Sequence, residues 1–171
     1  MSDERLGEAN GRVRLHLLRH ASAGDPAEWD GDDALRPLTR KGRRQCERLG
    51  AFLEAHGIRP DVIVSSPMVR AQQTAELVAA ALGMTVRKDQ RLAGDFGRRE
   101  LWELLGELGA REPMIVGHDP DLSELLGQLI GAGGVYLRKA ALATVDLEPD
   151  DGRATAVLCW LIPPELLAPV E

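Results

Sequence analysis

An α/β fold is predicted for this chain of 171 residues: a three-layer α/β/α sandwich whose central sheet is mostly parallel and ends in a C-terminal antiparallel hairpin. Three observations predict it. Short apolar runs alternate with longer segments of helical period through most of the length, the pattern of a parallel sheet covered by helices on both faces. Two apolar runs near the C-terminus, "ALATVDL" and "RATAVLCW", flank the turn-rich "EPDDG" and read as a hairpin. With 44% hydrophobic residues and no repeat, linker or low-complexity tract, the chain supports one core. Residues 1–171 therefore read as a single domain, with 1–11 a flexible N-terminal tail.

Each element has its own signal. The first strand is Val13 to Arg19, although Arg14 and His16 alternate with Val13, Leu15 and Leu17 as a fully buried strand does not require. Thr39 can cap a helix whose Cys46, Leu49, Phe52 and Leu53 share a face, with Gly57 as its left-handed stop. "DVIVSS", Asp61 to Ser66, is the second strand. Ser66 and Pro67 then give an N-cap and first-turn signature for a helix through Met68, Ala71, Ala75, Val78 and Leu82. "MTVRK" is a short third strand. A helix with Leu101, Leu104, Leu105 and Leu108 follows, with Asp95 as its expected cap. The strand "PMIVGH" comes next, and Asp119 with Pro120 opens another helix.

Composition narrows the function. The net charge of −6 and pI near 5.3 argue against a nucleic-acid or anionic-membrane partner. The start of the chain lacks a signal-peptide apolar stretch, and no run reaches the roughly 18 apolar residues of a span. Cys46 and Cys159 form no CxxC or paired framework and read as buried thiols in a reducing compartment. A cytoplasmic protein, a monomer or weak dimer, is the expectation. No cofactor is called for, and no metal either. Histidine and carboxylate spacings lack a zinc or paired-metal pattern, and the arginines would repel a cation.

In open α/β sheets ligands bind beyond the carboxyl ends of strands. Three polar groups stand there: Arg19 and His20 after the first strand, Arg70 in "SSPMVRAQQT" after the second, and His118 in "GHDPDLSEL" after the fourth. Two arginines and two histidines suit a doubly charged phosphoryl group, because guanidinium offers paired donors to phosphate oxygens. A neutral imidazole can attack phosphorus and carry the phosphoryl group; His20 is the candidate nucleophile. A protonated His118 can stabilise charge spreading over the equatorial oxygens. Arg36 is either a third phosphate contact or the partner of the acidic loop that precedes it. Arg40, Lys41, Arg43, Arg44 and Arg48 read as a solvated helix face, with a docking surface for an acidic phosphoprotein as the alternative. His16 and His56 are assigned to structure, and Trp29 either lines the entrance or packs the loop down.

The ordered set "LLRHASA", "LRPLTRKGRRQCERLGAFL", "VIVSSPMVRAQQTAE", "MIVGHDPDLSELL" and "ALATVDL" resembles the histidine phosphatase superfamily, with its phosphoglycerate mutase-like fold, and within it the short branch of phosphohistidine phosphatases. The resemblance spans nearly the whole chain. It implies His20 as phosphorylated nucleophile, Arg19 and Arg70 as phosphate clamps and His118 as the second pocket histidine. Two departures stand out. Ala21 occupies the place where Gly is usual, a substitution expected to be tolerated. "RLAGDF" offers Ala93 where larger members carry a Glu general acid. A leaving alkoxide needs a proton, and the loop "DPAEWDGDDALRPLT" offers Asp33 first and Asp32 second. A phosphohistidine substrate eases that need, since its imidazole leaving group is protonated near neutral pH.

The expected activity is thus a metal-independent phosphatase with a phosphohistidine intermediate, its partner a phosphohistidine-bearing protein. The alternatives are a phosphatase for a small phosphorylated metabolite and a non-catalytic module that binds phosphorylated partners.

Overall fold

The computed structural model describes residues 11–150 and 153–167; the expected N-terminal tail and the tip of the hairpin lie outside the described residues. A six-stranded sheet runs in the order β3-β2-β4-β1-β5-β6. Its strands are β1 (Val13–Arg19), β2 (Val62–Ser65), β3 (Val86–Lys88), β4 (Pro113–Gly117), β5 (Leu142–Asp150) and β6 (Arg153–Ile162). The β1–β4, β4–β2 and β2–β3 ladders are parallel, whereas β1–β5 and β5–β6 are antiparallel. The chain reverses its ladder direction at β1, the centre of the sheet.

Four helices cover the faces: α1 (Arg40–Ala55), α2 (Val69–Leu82), α3 (Arg98–Leu108) and α4 (Asp121–Ile130). The period-2 geometry of the strands separates two cores. On one face Leu18, Ile63, Met114 and Val116 meet Cys46, Leu49 and Leu53 of α1 and Ala71, Ala75 and Val78 of α2. On the other, Leu15, Leu17, Val64 and Ile115 meet Leu101 and Leu104 of α3 and Leu122, Leu125 and Leu126 of α4. Each fully buried leucine contributes about 1.5–3 kcal/mol of transfer free energy, and together they form the three-layer sandwich the sequence predicts.

The polar residues that interrupt β1 have partners across the ladder. His16 stands opposite Thr144, whose Oγ1 is 2.7 Å from Nδ1, and Glu112 reaches Nε2 at 3.0 Å. Arg14 stands opposite Asp146 and donates to it at 2.9 Å; the paired arginines hold that carboxyl well below its usual range. A buried strand thus carries charge because a neighbouring strand satisfies it.

Thr39 caps α1, its side chain accepting from Gly42 N, and Gly57 adopts φ 65° just past the helix. Three other expected caps are corrected. The helix after Pro67 begins at Val69, and Ser66 Oγ accepts only from Met68 N before turning to a histidine described below. Asp95 does not cap α3; Gly97 does, with Glu100 reaching back to the Gly97 N–H. Asp119 accepts from no backbone N–H of α4; its Oδ2 accepts from Ser123 Oγ in the first turn and faces Arg19. The hairpin strands run on into the "EPDDG" stretch, through Asp150 and from Arg153, since two strands at the sheet margin pair as far as the turn allows. Cys46 is buried, but Cys159 is only partly so, because β6 is an edge strand open on one side.

Candidate active site

The carboxyl ends of β1, β2 and β4 meet at one rim, and the segment that enters β5 joins them from the opposite direction. His20 follows β1 directly. Its N–H donates to Gly117 O at 3.0 Å, while Ala140 N, in the left-handed region at φ 62°, donates to both Arg19 O and His20 O at 3.2 and 3.1 Å. The Ala21 N–H donates to Thr74 Oγ1 of α2 at 3.0 Å. The backbone around His20 is therefore bonded to β4, to the β5 lead-in and to α2. Ala21 is fully buried and does not take up a left-handed conformation, so a methyl group fits where the family usually has none.

The His20 imidazole is 5% exposed, and its Nδ1 lies 2.8 Å from the Ala21 carbonyl. A carbonyl only accepts, so Nδ1 carries the hydrogen and Nε2 holds the free lone pair. The His118 ring faces it with centroids 5.2 Å apart and planes inclined by 54°. His118 Nε2 is 2.7 Å from Ser66 Oγ. Burial pushes the His20 pKa down to about 3, with His118, Arg70 and Arg19 acting in the same direction. Burial, then Arg70, pushes His118 down to about 4. Both rings are thus neutral at pH 7; the charged His118 that could stabilise equatorial oxygens is not its state here, because it shares a desolvated pocket with a guanidinium.

The arginines line the same space. Arg19 Nη1 donates to Leu137 O at 2.8 Å and to Tyr136 Oη at 3.1 Å, and lies 3.4 Å from Asp119 Oδ2. Arg70, 7% exposed, donates through Nη1 to Asp33 O at 2.8 Å and places Nη2 3.0 Å from Asp33 Oδ2. Arg36 donates through Nε to Asp33 Oδ1 at 2.8 Å and through Nη1 to Ala23 O at 2.8 Å. Of the two readings of Arg36, this geometry realises the pairing with the acidic loop. Asp33 is half-exposed, and the Arg36 bond, reinforced by Arg70, lowers its pKa. Three buried nitrogens, Arg19 Nε, Arg70 Nε and His118 Nδ1, have no hydrogen-bond partner. Buried orphans are rare, and the two arginine Nε–H groups can only donate, so each is suited to an added acceptor.

All six residues singled out in the sequence belong to this neighbourhood. Those missed are Thr74, Ser66, Ala140 and Tyr136, the last 61% exposed with its ring 5.6 Å from the Arg19 guanidinium carbon. Trp29 packs the acidic loop, its Nε1 donating to Asp32 O at 3.0 Å. His56 bonds Phe52 O from the end of α1, a structural role. Among the described residues no group of three or more His, Cys, Asp or Glu could hold a metal ion, and no helix is long and apolar enough to cross a membrane.

Comparison with known proteins gives a family and a fold. The family described as the histidine phosphatase superfamily (branch 1) matches residues 15–129. An uncharacterized protein of Picosynechococcus sp. is 37% identical over 116 residues, 66% of this chain and 70% of that protein. The phosphohistidine phosphatase SixA of Escherichia coli K12 is 26% identical over 149 residues, 84% of this chain and 90% of its own. The structure of the protein histidine phosphatase SixA complexed with tungstate superposes with a TM-score of 0.74 at 22% identity, covering 89% of this chain and 97% of that one.

Proposed function

The chain belongs to the histidine phosphatase superfamily, branch 1, and from that premise we propose that it removes phosphoryl groups from phosphohistidine on a partner protein, through a phosphorylated His20. The phosphatase fold and family are common to its relatives; the substrate and the roles of individual residues are the proposal. The observation that carries it is the His20 tautomer. With Nδ1–H held by the Ala21 carbonyl, the Nε2 lone pair points its reactivity at a pocket of guanidinium and imidazole donors.

In the first step His20 Nε2 attacks phosphorus and the bond to the leaving group breaks. Arg19 and Arg70 take the charge on the non-bridging oxygens through donors that include their orphaned Nε atoms. A dianion between the rings offsets the arginines that depress His118, so its proton uptake becomes favourable and Nδ1 gains an acceptor. In the second step water attacks phospho-His20, the N–P bond breaks, and inorganic phosphate leaves with His20 neutral again. When the leaving group is an imidazole it accepts its proton readily. For an alkoxide the proposed donor is Asp33, whose pKa rises when Arg70 turns from it to the phosphoryl oxygens.

A second reading, hydrolysis of small phosphomonoesters, is favoured by that same Asp33, half-exposed at the rim beside Arg70. The reading as a binding module is disfavoured, since a clamp alone has no need of a free imidazole lone pair. The experiment is rapid quenching after mixing with acetyl phosphate or a phosphohistidine protein, followed by intact mass. An acid-labile adduct of one phosphoryl group, absent in His20→Ala, supports the mechanism; turnover without an adduct, or an adduct that survives the substitution, rejects it. Comparing phosphohistidine with phosphoserine peptides under the same conditions separates the two substrate readings.

A further inference from the structure

A groove of about 830 Å3 opens beside Arg19, between α4 and the 131–136 segment that leads to β5. The mechanism above uses only its inner edge. Its volume lies in the range of small-molecule sites, roughly 300–1,000 Å3. Ser123, Glu124 and Gln128 of α4, with Asp119 just before the helix, form one wall, and Tyr136 forms the other. Gly133 and Gly134 leave open space where side chains would stand, so part of the lining is bare backbone.

The wall is internally braced. Ser123 Oγ donates to Asp119 Oδ2 at 2.7 Å and accepts from Leu137 N at 2.9 Å, which fixes the loop carrying Tyr136 to the helix. Asp119 Oδ2 in turn sits 3.4 Å from Arg19 Nη1, and Asp119 Oδ1 is buried without a partner. The charged residues of the lining are Arg19, Asp119 and Glu124. Arg19 belongs to the phosphoryl site and is matched by Asp119. Glu124 is exposed and makes no ion pair among the described residues, so the outer groove is acidic. Arg98 approaches Gln128 O at 3.4 Å but is not part of the lining.

Arg19 is common to the phosphoryl site and the groove, so the groove adjoins the place of a group attached to a phosphoryl held there. It offers the aromatic ring of Tyr136 and one exposed carboxylate, Glu124, that is not matched by an arginine among the described residues. An anionic leaving group is repelled there, whereas a cationic one, or one that donates N–H bonds, is attracted by that carboxylate and by the ring. We propose that the groove is a leaving-group subsite that selects a cationic or N–H-donating group over one bearing a carboxylate or a second phosphate. This rests on the reading of His20 and its arginines as a phosphoryl site, and it adds the charge class of the group that stands beside the phosphorylated atom.

The test uses the full chain with His20→Ala, which allows intact phosphate esters to be weighed as ligands. Dissociation constants are measured calorimetrically for two phenyl phosphates that differ only in the para substituent, aminomethyl in one and carboxylate in the other. The ammonium compound is expected to bind at least about fivefold tighter. Glu124→Gln in the same background reduces that ratio by about threefold, the scale of an exposed charge contact, and Glu124→Lys inverts it. Equal affinities, a carboxylate preference, a ratio indifferent to Glu124→Lys, or no binding of either compound at millimolar concentration overturns the subsite. The outcome is separable from the phosphoenzyme experiment. A His20 adduct with no charge preference rejects the groove alone, and a charge preference with no adduct rejects the catalytic cycle while leaving the groove as a binding site.

Discussion

Asp33 and Arg70 are joined twice: the carboxylate Oδ2 lies 3.0 Å from Nη2, and Nη1 donates to the Asp33 carbonyl at 2.8 Å. A carboxylate on a guanidinium is the geometry a phosphate oxygen also seeks. The residue proposed to protonate a leaving group therefore competes with the substrate for the same donor.

Substituting Asp33→Asn removes the competing charge. Affinity for tungstate or inorganic phosphate is expected to rise about threefold, a modest gain because the carboxylate is half in solvent. Turnover of an alkyl phosphate is expected to fall at least about tenfold while that of phosphohistidine changes little. Titration calorimetry and steady-state kinetics on both substrates check the pair; an unchanged alkyl phosphate rate removes Asp33 from the mechanism.

Arg70→Lys retains the charge but loses the planar fork and the orphaned Nε. The expected loss in kcat/KM is about 10²-fold, the scale of a donor aimed at developing charge. An effect under threefold would place Arg70 outside the phosphoryl site.

The histidines link stability to pH. Unfolded, each binds a proton near pH 6.5; folded, His20 does so only near 3 and His118 near 4. Between those values the unfolded chain holds more protons, so stability falls as pH falls from about 6.5 to 4, by up to about 1.4 kcal/mol per pH unit for each group. His16, also held below its ordinary value by burial, adds in the same direction; in His20→Ala one of these contributions is gone. Its Tm is expected to decline less steeply over that interval, and parallel Tm curves for the two proteins would contradict the depressed His20 value.

Two glycines of α1 separate packing from catalysis. A Cβ at Gly42 would stand 2.1 Å from the Ser22 carbonyl oxygen, in backbone that follows the nucleophile; one at Gly50 would stand 2.6 Å from Ala81 Cβ, away from the site. Both alanine variants are expected to lose about 1–3 kcal/mol of stability. Only Gly42→Ala should also lose kcat, because Ser22 cannot yield without moving the turn that holds His20. Denaturant melts and kinetics on the two variants distinguish them.

The sheet, its helices and the four central side chains were legible because strand ends, helix period and residue chemistry coincide at Arg19, His20, Arg70 and His118. Ser66, Asp95 and Asp119 were misread because a short polar side chain before a helix is the signature of a cap, yet it can serve another partner, as Ser66 does His118 and Asp119 does Ser123 Oγ and Arg19, while at α3 Gly97 and Glu100 take the place expected of Asp95. Tyr136 left no periodic trace in "GAGGVY", and its partner Arg19 is 117 positions away. The His118 protonation state depended on burial beside Arg70, which no spacing in the chain conveys.

The reversal of ladder direction at β1 has a bearing on how such a molecule changes over time. His20 and His118 directly follow two adjacent parallel strands, locked in register by hydrogen bonds. The groove proposed to take the rest of the substrate is lined on one side by α4 and on the other by the connector between α4 and β5, which reaches the rim because β5 runs the other way. Only the far half of that connector, Tyr136 and the glycines before it, lies clear of the Ala140 N–H that bonds Arg19 O and His20 O. Changes there are expected to alter which molecules are admitted, whereas changes at 137–141 would disturb the backbone that places His20.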